Sequence, residues 1–165
     1  MDSSFDFPEL SIFSTGTEGP PGQRVFYLQA GTDLDVVTLR LEKQQVEALA
    51  DFLEQIAVRY DMVVDEPEPM VPLESPLLTE WIVGSMLVAV DQDESRLIVI
   101  AEELLPDDAD PDQPAEGAEA RFVLTPAQAA GFVIGAREVV TRGRPICRLC
   151  GRPIDPDGHF CPRMN

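Results

Sequence analysis

The stretch ARFVLTPAQAAGFVIGAREVV, residues 120–140, decides the fold, because its hydrophobic period changes partway along. Phe122 and Leu124 alternate with Arg121 and Val123, the period of two expected of a half-buried strand. From Ala129 the apolar residues Phe132, Val133, Ala136, Val139 and Val140 recur at helical spacing. Thr125 stands where an N-cap is needed and Pro126 suits the first turn, where a missing N–H costs nothing. Gly131 and Gly135 weaken this helix intrinsically, so they point to close approach of a neighbouring element.

The same pattern occurs 83 residues earlier, in VTLRLEKQQVEALADFLEQIA, residues 37–57. Leu39 and Leu41 alternate with Thr38 and Arg40. Val46, Leu49, Ala50, Leu53, Ile56 and Ala57 then form one stripe, with Glu47, Asp51 and Glu54 on the solvent side. Any two amphipathic strand-helix units align to some degree, but six matching helical positions argue against coincidence.

Two further strand candidates precede each unit: residues 10–14 and 24–29 about the turn Gly19-Pro20-Pro21-Gly22, and residues 81–90 and 96–101 about the turn at 91–95. The expected fold is therefore α+β, with internally duplicated β-β-β-α units forming a mainly antiparallel sheet, or two packed sheets, with two packed helices. A pseudo-two-fold axis would relate the units. The expected divisions are a duplicated domain over residues 1–141, with copy one about 8–60 and copy two about 80–141, and a zinc-binding tail over 142–165. Residues 61–79, rich in proline and acid, read as a linker wrapping the surface, and residues 102–119 as a mobile acidic loop lacking the glycine and terminal glutamate of a calcium loop.

With 165 residues, 44% of them hydrophobic, the chain has the material for a real core. Its net charge of −18 is unevenly spread. Up to Ala120 there are 5 basic and 27 acidic residues, and after it 7 basic and 3 acidic. The body repels polyanions, whereas the end of the chain, with Arg142, Arg144, Arg148, Arg152 and Arg163, attracts them. No basic and apolar leader opens the sequence, and the run 81–90 is far short of the roughly 20 residues that span a bilayer, so it reads as a buried strand. A cytoplasmic location and no membrane partner are expected.

All three cysteines fall between 147 and 161, too few and too clustered for a disulfide framework. Cys147 and Cys150, two residues apart, can converge from one tight turn whose amides hydrogen-bond sulfur, and Gly151 accommodates the backbone of such a knuckle. A turn at 155–158 reverses the chain, and His159 and Cys161 then lie on the same side of an extended segment. The expected cofactor is one zinc ion on Cys147, Cys150, His159 and Cys161. The competing readings are a metal-free tail with reduced cysteines and a redox dithiol at Cys147 and Cys150, the latter without thioredoxin-like βαβ context. Leu149, Ile154 and Phe160 are candidates for docking the tail on the main domain.

Catalytic signatures are absent. His159 is the single histidine and is already assigned to metal, and no phosphate-binding glycine motif occurs. Four protein ligands leave zinc no open position for Lewis-acid chemistry. The first functional expectation is a non-enzymatic interaction or scaffold protein whose partner is another protein. The alternative is a zinc-dependent binding module for nucleic acid or a phosphorylated ligand, using Arg144, Arg148, Arg152 and Arg163. A third is an enzyme using carboxylates in a groove between the copies.

The two units and the ending CRLCGRPIDPDGHFCPR, residues 147–163, together resemble an actinobacterial family, the "domain of unknown function 3090" proteins. The resemblance spans nearly the whole chain and implies no particular activity. Genes of that family tend to lie near those of a histidine-phosphatase-like and a kinase-like protein, which implies a shared pathway.

Overall fold

A computed structural model describes residues 3–20, 22–107, 110, 112, 116–142, 147–152, 154 and 158–163. After a short strand β1 (Phe5–Phe7), three strands and a helix follow twice. The first run is β2 (Ile12–Glu18), β3 (Val25–Gly31), β4 (Val36–Leu41) and α1 (Lys43–Arg59). The second is β5 (Thr79–Asp91), β6 (Arg96–Glu103), β7 (Glu119–Leu124) and α2 (Pro126–Thr141).

One sheet of seven strands holds them all, in the order β1-β7-β6-β5-β4-β3-β2. Pairings are antiparallel except β4 with β5 and β1 with β7. The fold is thus α+β with a mainly antiparallel sheet and two helices. A seventh strand joins the six that periodicity detects, since three residues are too short to display a period of two. It is held by Trp81, whose Nε1 donates to the Ser3 carbonyl at 3.0 Å, and by its pairing with Ala120 to Phe122. The seam between the two runs is one of the two parallel pairings. There the last strand of the first run lies beside the first strand of the second.

The strand order forces curvature. A flat seven-stranded sheet is about 29 Å across, yet its two end strands are joined only by residues 8–11, a reach of about 17 Å at most. The edges accordingly curl toward each other. Phe13 of β2 comes within 5.8 Å, centroid to centroid, of Phe122 on β7, which also stacks on Phe7 of β1 at 5.9 Å. Phe132 of α2 closes the cluster at 4.8 Å from Phe13.

The helices cover the concave face. Val46, Leu49, Ala50 and Leu53 of α1 are buried, with Ile56 and Ala57 partly so, while Glu47, Asp51 and Glu54 face solvent. All six apolar positions singled out in α2 are buried. Thr125 caps α2, its hydroxyl accepting from the Gln128 N–H at 3.1 Å, and Pro126 occupies the first turn. Because neither α1 nor α2 lies on the convex face, β5 is half-buried rather than buried: Trp81 and Val83 are inside, Ile82 and Leu87 outside.

Residues 61–78 form a strap that crosses from the helix layer around β2 to the convex face. Its backbone lies directly on α2, where the Glu68 N–H donates to the Ala127 carbonyl at 3.0 Å and the Glu68 carbonyl sits against Gly131. On the convex face the buried Gln29 amide holds Glu74, donating to its carbonyl at 3.1 Å and accepting from its N–H at 2.7 Å. The two glycines of α2 therefore meet a neighbour, as their cost to the helix implies.

Arg137 of α2 ties the helices together at the surface, donating to Glu54 at 2.7 Å and Asp51 at 3.1 Å on α1. The hydrogen bond from Arg137, with its charge, holds the Glu54 carboxyl below its ordinary value. A carboxyl pKa depressed by folding contributes stability above the unfolded value, near 4.3, that is lost as pH falls through the folded one. Arg137→Ala should cost about 1 kcal/mol or less at neutral pH, the groups being half-exposed. Urea midpoints of the two proteins should converge on acidification below about pH 4. A gap that persists at pH 2 would assign the loss to packing of the arginine stem.

Candidate metal centre

Beyond α2 the chain has no regular secondary structure among the described residues, and its local order comes from backbone turns around sulfur. The Cys147 carbonyl accepts from the Gly151 N–H at 2.9 Å, and the Cys147 N–H donates to the Arg152 carbonyl at 2.8 Å. Closing this knuckle requires a left-handed residue, and Gly151 supplies it at φ +72°.

Within the knuckle the N–H groups of Cys150 and Leu149 point at the Cys147 sulfur. They disperse thiolate charge and lower its pKa to about 6. The Cys161 thiol moves the other way, burial raising its pKa, and the N–H of Arg163 beside it only partly offsets this. The role of the Cys150 and Leu149 amides was legible in the two-residue spacing; that of the Arg163 amide had no sequence signal.

One ligand atom from each of Cys147, Cys150, His159 and Cys161 lies within 4.8 Å of the other three. Cys147 Sγ and Cys161 Sγ are 3.8 Å apart, and Cys150 Sγ is 3.2 Å from His159 Nε2. A tetrahedral ion with metal–sulfur bonds of about 2.3 Å places its sulfurs about 3.8 Å apart, so the cysteine pair already has the required edge. Cys147 and Cys161 are buried, and Cys150 and His159 are half-buried. Three soft thiolates and an imidazole in this arrangement can hold one metal ion.

Around the cluster, Arg148, Arg152 and Arg163 are exposed, while Arg144 and the reversing turn at 155–157 fall outside the described residues. The apolar side chains proposed to dock the segment do not all do so. Phe160 is 80% exposed and Leu149 51%, and only Ile154 is half-buried. Cys147 and Cys161 lie outside the main hydrophobic cluster, and the hydrogen bonds of residues 147–163 stay within that segment among the described residues. The segment has almost no apolar core of its own, so its folding energy must come largely from another source.

A family model described as "Protein of unknown function (DUF3090)" matches residues 5–161, which take in the sheet, both helices and all four cluster residues. No curated protein and no solved structure matches the chain.

Proposed function

Since the chain belongs to this DUF3090 family, whose description names no activity, we propose that it is a non-enzymatic protein-interaction protein carrying one structural zinc ion. The zinc holds the C-terminal segment in shape through Cys147, Cys150, His159 and Cys161. The observation that carries this reading is the convergence of the four ligand atoms within 4.8 Å. Three thiolates with one imidazole favour zinc over hard cations, and a complete set of four protein ligands suits a structural rather than a catalytic ion. Phe160 and Leu149, exposed on the segment, supply apolar contact surface of the kind that partners bury.

Metal analysis of the purified chain should return one zinc per chain, and Cys150→Ser should abolish it. Chelation should unfold residues 147–163, seen as collapse of their amide resonances, while melting of the sheet and helices shifts little, because the main core excludes the cluster. A chain that is metal-free with this segment folded would overturn the zinc reading. Affinity capture with the zinc-loaded chain should recover a stoichiometric protein partner, and a partner-free monomer would weigh against the interaction reading.

The exposed guanidinium groups of Arg148, Arg152 and Arg163 favour a second reading, a zinc-dependent site for nucleic acid or a phosphorylated ligand. Its mark is binding that weakens steeply with salt and with Arg148→Ala. Repulsion from the acidic body opposes extended polyanions.

A further inference from the structure

Strand β2 ends the sheet and, among the described residues, pairs on one side only, with β3. In an antiparallel ladder the backbone groups of successive residues point alternately toward the partner strand and away from it. The Thr15 N–H points away, since it meets Met70 Sδ at 3.4 Å. By the same alternation the N–H and C=O of Thr17 also face outward.

What faces them is a groove of about 760 Å³ between β2, the strap and the C-terminal half of α2. Its strap wall carries Pro67, Pro69 and Pro72, which have no N–H and cannot complete the ladder. At Thr15 a thioether, a weak acceptor, occupies the place of the carbonyl a paired strand would offer. Met70, Leu73, Ile134 and Val139 give the groove apolar walls.

We propose that this groove docks an extended, basic segment of a partner protein, which adds to the β2 edge as a further strand. The proposal rests on the interaction reading above and names its surface. Backbone bonds to Thr15 and Thr17 supply affinity, alternate side chains enter the apolar walls, and a peptide carbonyl replaces the Met70 sulfur as acceptor. Charge sets the choice of a basic segment. Glu138 pairs with Arg142 at 3.9 Å, so Glu18 is the uncompensated charge among the groove's lining residues, in a chain of net charge −18.

The test uses the full-length, zinc-loaded chain and a phage-displayed library of random decapeptides. Enriched sequences should alternate apolar residues and carry net positive charge. Thr17→Pro, which takes no bond from the β3 ladder, should weaken binding at least tenfold. N-methylation of the peptide residues facing β2 should do the same without altering the protein. Glu18→Lys should erase the preference for basic sequences. No enrichment, enrichment of acidic sequences, or binding untouched by both Thr17→Pro and N-methylation would overturn the proposal. Binding that is lost on chelation yet kept by Thr17→Pro would place the contact on the zinc segment, overturning the groove while sparing the interaction reading.

Discussion

Alanine at position 122 is expected to destabilise the protein by about 3–5 kcal/mol, the range for deleting a large buried aromatic ring. Phe122 is fully buried on β7 and touches Phe7 of β1 and Phe13 of β2, which stand at opposite ends of the strand order. Among the described residues, no other ring contact links the two edges of the curled sheet. Removing it leaves a cavity where the edges meet, and Phe132 of α2, packed on Phe13, cannot fill it without pulling the helix inward. Urea unfolding should show a much lower midpoint, with β1 amides losing protection from hydrogen exchange first. Phe160→Ala is the control, because a ring that is 80% exposed should be worth less than about 0.5 kcal/mol. Equal losses in the two variants would refute the edge-joining role.

The second large effect is expected at Gly131, where intrinsic propensity points the wrong way. Alanine in a helix interior is worth about 1 kcal/mol over glycine, so substitution would stabilise an isolated α2. Here a Cβ would run into the Glu68 carbonyl oxygen, which is backbone and cannot rotate aside. The same residue is fastened to α2 through its N–H on Ala127. Gly131→Ala should therefore lift the strap and cost about 1–3 kcal/mol net, with residues 67–74 becoming sensitive to protease. Lifting it also leaves the buried Gln29 without its bonds to Glu74. Gly135→Ala is the informative contrast, since its Cβ meets the flexible end of Met70 and that side chain can swing away. A Gly131→Ala protein as stable as the parent would show that the strap does not rest on the helix.

Much of the architecture was legible because it is local. Thr125 and Pro126 announce the start of α2, and the stripes of both helices predict which side chains they bury. Residues 147, 150, 159 and 161 are four residue types whose spacing already limits where their ligand atoms can go, so their convergence needed little from the rest of the fold. Less legible were features that depend on distant partners. Phe5–Phe7 carries no pattern long enough to read and becomes a strand only by pairing with β7. The exposure of Ile82 and Leu87 follows from both helices lying on one face, which their own neighbours in sequence do not reveal. Nothing in Leu149 or Phe160 distinguishes an apolar residue that docks from one that stays in solvent.

The sequence by itself determined the helices with their buried faces, most of the strands, and the four residues gathered at the candidate metal centre. In each case the interactions responsible span a few residues, so backbone preference and side-chain spacing suffice. Only the tertiary structure decided the parallel seam between β4 and β5, the curl that brings Phe7 and Phe13 onto Phe122, and the path of the strap over Gly131 and around β2. Those features arise from contacts between residues far apart in the chain, where many pairings satisfy the same local pattern and packing of the whole selects one. The groove along β2 belongs to this second group, for it exists only where an unpaired edge, a proline-rich strap and a helix face come together.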